Sequence, residues 1–383
     1  MSGRSRNVTA LPSTPWRRVL HLAALATLTM TMVVLWDVGR TGAHPANLIQ
    51  PGTEGPSAAL IAQDFPDLEP PAGLGLDGQQ YYAMARAGVH LAGASPSLDR
   101  PIYRWQRPLF PWLARVLHPG SGGGAGLIAA FFVLGTAALF LGGVAAGWLS
   151  TSLGGRAWPA ALVPLLPGAW MSLRVTMADA LAMALVLVAL ALSVRRRPAL
   201  ATVAGCAAVL TRETAVIVLI GWAIAHRSRV SAVLAAVPVA VAAAWAVWLR
   251  VALPAGPPET INELGFPFAG LVGAVREHWL AGTNRLGMLA TVLALALAAA
   301  ALWRSSRRHP LVPALWCNLA FVTLMNDNVV GIDFGSTRSM LPLTVCALVT
   351  LATPQARVEK RPALQLVTGI EGPALVSGGA ANR

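Results

Sequence analysis

The chain has 383 residues, of which 55% are hydrophobic and 12% charged, with a formal net charge of +13. A soluble domain carries about twice that charged fraction, and the mean hydropathy of +0.60 likewise excludes an ordinary soluble enzyme. The positive charge does not point to nucleic acid, because the arginines flank apolar runs and form no continuous basic face.

A membrane crossing needs ~20 apolar residues, fewer where it borders a cavity. On that rule about ten helices are predicted near 19–36, 126–148, 157–173, 178–194, 199–210, 214–225, 230–253, 286–303, 310–325 and 339–353. The first run, Val19 to Trp36, follows a basic stretch and precedes Thr41-Gly42-Ala43, so a cleaved signal peptide is the alternative to a retained helix. The later arginines favour retention. Knots at Arg17 and Arg18, Arg195 to Arg197, Arg227 and Arg229, and Arg304 to Arg308 each follow an even number of crossings, the positive-inside pattern of a multi-pass protein. This puts both termini in the cytoplasm. Residues 1–18 form a cytoplasmic N-terminus, 19–353 the polytopic domain, and 354–383 a short cytoplasmic tail. On the inner side only Glu359 and Glu371 are acidic; every other carboxylate falls outside.

Two segments depart from uniform crossings. The runs 199–210 and 214–225 are each about 18 Å long as helices, short of ~30 Å of hydrocarbon. The turn Thr211-Arg212-Glu213-Thr214 would then sit below the outer surface, buried in protein or lining a watery cavity. A single helix from 199 to 225 is the rival, but it would put two arginine knots on opposite sides. The other departure is the outer loop 37–125. Its first half is rich in Pro and Gly; helices are expected from Asp77 to Leu91 and from Pro108 to Leu117, with Trp105, Phe110 and Trp112 suited to a membrane interface. A second outer loop, 254–285, repeats the pattern with Phe266, Phe268 and Trp279. Gly143 and Gly147 give a small-xxx-small helix contact, and Cys206, Cys317 and Cys346 read as small core hydrophobes.

The outer side gathers the ionisable groups: Asp77 with Gln79, Tyr81 and Tyr82; Arg104 and Arg107; Arg174 and Asp179; Arg212 and Glu213; and Asp327, Asp333 and Arg338. Such groups near membrane depth mark a substrate path or a paired structural site. Guanidiniums beside carboxylates suit a phosphate-bearing ligand with a nearby proton acceptor. Each residue also has a plainer role. Asp77 can cap its helix, Arg212 and Glu213 can pair with each other or with Asp179, and Arg104 and Arg107 can snorkel to headgroups. Tyr81 and Tyr82 can be helix packing. Arg338 is expected to open a helix, where the dipole disfavours a cation and an anionic partner is needed. On either view of Asp77, Asp77→Asn is expected to keep wild-type stability.

The stretches Leu76-Asp77-Gly78-Gln79-Gln80-Tyr81-Tyr82, Tyr103-Arg104-Trp105-Gln106-Arg107-Pro108-Leu109-Phe110-Pro111 and Leu210-Thr211-Arg212-Glu213-Thr214 together resemble bacterial GT-C membrane glycosyltransferases, relatives of protein mannosyltransferases and aminoarabinose transferases. The resemblance spans roughly 19–353 and rests on three individually weak motifs in the right order on one side. It implies an all-helical membrane bundle with periplasmic loop helices, a polyprenyl-phosphate sugar donor and a catalytic carboxylate in the first outer loop. Asp77 matches that carboxylate. Asp67 and Glu69 are the alternative acidic site, set in an irregular stretch before Pro70-Pro71. Many relatives carry a longer outer domain after the last crossing, where this chain has a short tail, which leaves the acceptor open.

No glycine-rich phosphate loop, zinc-spaced histidines or Ser-His-Asp set is present. No cofactor is implied, and metal dependence stays open. The expected activity is inverting transfer of a sugar to an acceptor hydroxyl. Arg104, Arg107, Arg212 and Arg338 would hold the donor phosphate; Gln79, Tyr81, Tyr82, Arg174, Asp179 and Glu213 would support the substrate. The expected partners are the lipid-linked donor, an acceptor glycan, lipid or protein, and membrane lipids. Two other readings are a flippase, which calls for inverted repeats with broken helices that the sequence does not display, and a non-catalytic scaffold in envelope assembly.

Overall fold

The structure, a computed structural model, describes residues 15–120, 122–253 and 263–353. Parts of three predicted segments, the N-terminus, the second outer loop and the tail, lie outside them. Among the described residues the protein is all-helical, with one isolated antiparallel bridge between Leu264 and Met325.

Five helices are long and apolar enough to cross a membrane: Trp16–Arg40, Ala125–Ser152, Arg229–Ala252, Arg285–Arg304 and Asp333–Ala352. Four shorter apolar helices, Asp179–Val194, Pro198–Thr211, Ala215–His226 and Val312–Leu324, pack among them. Large apolar side chains such as Leu25, Met32, Val203 and Leu293 stay exposed on the outer faces. A water-soluble surface rarely tolerates that; a lipid-facing one requires it.

Close packing follows from small residues. A side chain at Gly143 would strike the Ala160 carbonyl and Pro164, and one at Gly147 would strike Ala160 and Val19. The predicted small-xxx-small pattern is therefore a contact of Ala125–Ser152 with the first helix and the 159–165 segment.

The crossing expected at 157–173 is not one helix. It breaks into Pro159–Leu162, a 3-10 turn Val163–Leu165, and Pro167–Arg174. Pro164 and Pro167 explain the break: each lacks a backbone donor, and Leu166, preceding a proline, is extended at ψ 148°. The segment 199–225 forms two helices, Pro198–Thr211 and Ala215–His226, joined by the Arg212–Thr214 turn. The rival single helix is thereby ruled out. At about 21 and 18 Å, both are shorter than the hydrocarbon thickness.

The two ends of the bundle differ in chemistry. At one end Trp16 meets Trp148, Arg195 lies over Trp148, and Trp222 Nε1 donates to Ser193 Oγ. This gathers the Arg195–Arg197 and Arg227–Arg229 turns beside the start of the first helix. At the other end Arg174 binds Asp37, and the loop helices Asp77–Ala87, Pro101–Trp105 and Leu109–Leu117 cover the bundle. The first loop helix stops at Ala87, short of the expected Leu91, because Gly88 turns the chain at φ 65°.

Candidate functional site

Asp77 is seated by its neighbour. A Cβ at Gly78 would lie 2.5 Å from the Val175 carbonyl and 2.9 Å from Ile49 Cα, so only glycine lets the start of this helix press against the bundle. Asp77 is the first residue of the helix, and its carboxylate makes no capping bond. It goes instead to two guanidiniums: Arg104 Nη1 donates to Oδ1 at 2.8 Å, and Arg338 Nη1 donates to Oδ2. The plain helix-cap role does not hold. Arg104 also donates to both oxygens of Asp99, at 2.8 and 2.7 Å.

A second network runs beside it. Arg107, only 1% exposed, forks onto Glu213 of the sunken turn, with Nε–Oε2 at 2.7 Å and Nη2–Oε1 at 2.5 Å. Its Nη2 also donates to the Tyr103 hydroxyl at 2.6 Å, and that hydroxyl donates to Glu263 Oε1 at 2.6 Å. Arg100 reaches the same Glu263 oxygen at 3.0 Å. The guanidiniums of Arg100, Arg107 and Arg104 lie 4.0, 4.5 and 5.5 Å from the Tyr103 ring centre, where the negative ring face offsets crowded positive charge.

These networks wall a cavity of about 350 Å³. Its polar side holds Asp77, Arg100, Arg107, Arg212, Glu213, Glu263 and Arg338. Its apolar side holds Ile217, Phe321, Met325, Val329, Ile332 and Phe334. Arg107 Nη1 and Arg338 Nε are buried without a hydrogen-bond partner. Buried donors of this kind normally find one; both guanidiniums belong to residues of the cavity lining.

Burial alone would raise the Asp77 carboxyl, but Arg104 and Arg338 outweigh it and hold the group well below the usual carboxylate range. Burial likewise opposes ionisation of Asp99 and Glu263, yet Arg104 in the first case and Tyr103 with Arg100 in the second bring both below their ordinary values. Burial pushes the Tyr103 phenol up to about 12, so it remains a donor to Glu263. Among the described residues no group of three or more His, Cys, Asp or Glu is placed to hold a metal ion.

Of the residues predicted from sequence, Asp77, Arg107, Arg212, Glu213 and Arg338 line the cavity, and Arg104 touches Asp77 from behind. Arg212 pairs with the buried Asp179, and Glu213 with Arg107, so the turn residues do not pair with each other. Arg107 is buried and does not snorkel. Arg338 lies in the last turn of Asp333–Ser339. The helix it was expected to open, Leu341–Ala352, begins three residues later, and the anionic partner expected for it is Asp77.

The remaining candidates lie elsewhere. Arg174 binds Asp37 at 2.5 Å and the Asn47 carbonyl at 2.8 Å, tying the first helix to the loop. Gln79 bonds to Gly52 N and the Leu74 carbonyl. Tyr81 packs edge-on against Phe110, and Tyr82 donates to Asp64 at 2.6 Å. Asp67 and Glu69 are exposed and outside the cavity. Asp333 accepts from Gly287 N at 2.8 Å, at the start of Arg285–Arg304.

Sequence reasoning passed over Asp99, Arg100, Tyr103 and Glu263. A signal existed for one of them: Arg100, Arg104 and Arg107 are spaced i, i+4, i+7, one face of a helix.

Compared with family models, curated proteins and solved structures, the chain has no match.

Proposed function

We propose that the cavity takes the phosphate of a polyprenyl-phosphate sugar and that the protein transfers the sugar to an acceptor hydroxyl on the outer face of a bacterial inner membrane. In this reading the four shorter helices and the broken 159–174 segment count as crossings beside the five long helices, ten in all, with both termini in the cytoplasm. The observation that carries it is a cavity with an arginine-rich wall facing an apolar one, in which two buried guanidiniums keep unpartnered nitrogens. A phosphate on a lipid tail has the matching polarity. Four arginines against three carboxylates in the lining suit a singly charged phosphodiester better than a diphosphate.

Asp77 is already ionised but, held between two guanidiniums, is a weak proton acceptor. A donor phosphate competes for Arg338 and so returns basicity to Asp77. The acceptor oxygen attacks the anomeric carbon as Asp77 takes its proton. The carbon–oxygen bond to phosphate breaks on the opposite side, and the electron pair leaves with the polyprenyl phosphate, stabilised by the arginines. The test is transfer from a polyprenyl-phosphate sugar by purified protein. Activity lost in Asp77→Asn and Arg338→Ala supports the reading; full transfer by folded Asp77→Asn removes Asp77 as the base and makes Asp67 and Glu69 the next candidates.

A second reading has one observation in its favour. The 159–174 segment is broken, as in transporters whose sites lie at interrupted helices. Translocation of a fluorescent lipid-linked sugar in proteoliposomes, without transfer, would favour the flippase.

A further inference from the structure

The segment after Glu263 crosses the rim of the cavity. Its backbone is fixed by the end of helix Val312–Leu324: Gly265 N donates to the Leu324 carbonyl at 2.8 Å and Phe268 N to the Thr323 carbonyl at 2.6 Å, while Asn326 N donates to the Glu263 carbonyl at 3.0 Å. The first two bonds satisfy carbonyls that a helix end leaves open. A side chain at Gly270 would strike the Met325 carbonyl, so the short helix Ala269–Gly273 lies flush on that turn. With its backbone committed inward, the segment turns its large apolar side chains out. Phe266 is 85% exposed and Leu280 78%, and Leu264, Phe268 and Val272 are exposed beside them. Phe268 also takes a left-handed backbone at φ 68°, which is unfavourable for a bulky residue.

Water offers nothing to offset such an outward row. The flanking surface indicates what does. The segment joins two helices able to cross a membrane, Arg229–Ala252 and Arg285–Arg304, whose adjoining ends expose Val247, Val251 and Leu289. The apolar row continues that surface. Among the described residues of the segment and the adjoining helix ends, Arg250, Arg276 and Arg285 are exposed, against one exposed carboxylate, Glu277. Apolar anchors ringed by arginine are the composition of a segment lying in a bilayer interface with anionic headgroups.

We propose that residues 264–280 form a strap seated in the outer-leaflet interface of the bilayer, with Phe266, Phe268 and Leu280 as anchors and Arg250, Arg276 and Arg285 on lipid phosphates. Leu264 belongs both to this strap and to the cavity lining, and Glu263 ties its start to Arg100 and Tyr103. The seat therefore sets the cavity mouth at headgroup depth. It depends on the membrane crossings alone, not on sugar transfer.

The test is nitroxide labelling of the full-length protein in nanodiscs containing anionic phospholipid. Phe266→Cys, Phe268→Cys, Leu280→Cys and Glu277→Cys are made with Cys206→Ala and Cys317→Ala; Cys346 is buried and stays. All four labelled positions are exposed, so folding is little affected, and near-wild-type melting confirms it. The expected result is a several-fold higher ratio of oxygen to nickel-chelate collision at 266, 268 and 280 than at 277, at a depth of about 5–10 Å. Equal ratios at all four sites would overturn the proposal in favour of an aqueous loop. Shielding of the three anchors from both reagents would overturn it in favour of a protein contact. No sugar donor enters the measurement, so its failure is separate from failure of the transfer assay.

Discussion

Neutralising Asp77 should disturb two guanidiniums unequally. Arg104 retains Asp99, with two bonds near 2.8 Å. Arg338 retains a 3.6 Å contact to the Met177 sulfur, a position 5.1 Å from the Phe334 ring centre and the more distant charge of Asp179, which Arg212 already holds. Breaking one side of a buried ion pair costs about 3–5 kcal/mol, chiefly because the surviving charge is stranded. Since Arg338 borders the cavity, the lower end applies, and Asp77→Asn should lose about 3 kcal/mol. This replaces the expectation that the substitution spares stability, which assumed a helix cap. The double variant Asp77→Asn with Arg338→Gln removes the stranded charge. It should be more stable than the sum of the single losses by about 1–3 kcal/mol, the range for groups in one network. Denaturant unfolding in micelles on all four proteins measures that coupling. Sugar transfer, followed in parallel, should fall about 10²–10⁴-fold in Asp77→Asn. Additive stabilities, or an Asp77→Asn protein as stable as wild type, would refute the reasoning that Asp77 and Arg338 compensate each other.

Glu213→Ala strands the fully buried Arg107 and should lower stability by about 3–5 kcal/mol, which thermal melting would show. Arg174→Ala, which frees Asp37 outside the cavity lining, should lower the melting temperature while leaving the KM for a lipid-phosphate donor unchanged. For the outer carboxylates Asp77, Asp99 and Glu263 the folded-state pKa is depressed. Their stabilisation is fully present above the unfolded values of about 4 and is lost as pH falls through the lower folded ones. Melting temperature should therefore hold from pH 7 to about 5 and drop below about 4; a fall beginning near pH 6 would contradict it. For topology, Thr53→Cys and Ala281→Cys should react with an impermeant thiol reagent in intact spheroplasts, and Ser306→Cys only after lysis; the reverse pattern would invert the orientation.

Apolar run length made the all-helical class and the five long apolar helices legible, because a bilayer constrains helix length more tightly than water does. The paired short helices around Arg212 could be read from the arginines: one long helix would have separated two arginine knots. The broken 159–174 segment was missed although Pro159, Pro164 and Pro167 were in view, since hydropathy scores proline as tolerable in a span while backbone geometry does not. In the site, the types of residue were legible and their partners were not. Arg338 meets Asp77 across 261 positions and Arg107 meets Glu213 across 106, and no local spacing encodes such pairings. Tyr103 and Glu263 were passed over because neither is unusual in its own neighbourhood; their role arises only where three arginines converge on one ring.

That convergence explains why the cavity is built from pairs and not from arginines alone. Unpaired guanidiniums would attract an anion more strongly, but in a low-dielectric wall each would carry the desolvation penalty of a buried charge. Here Arg107 and Arg338 each give one face to a carboxylate and keep a nitrogen without a partner. The carboxylates offset that penalty within the wall. In the proposed transfer an arriving phosphate would draw on the guanidiniums that the carboxylates now hold. Asp77, held by Arg104 and Arg338 together, is the carboxylate whose basicity responds most directly to that exchange.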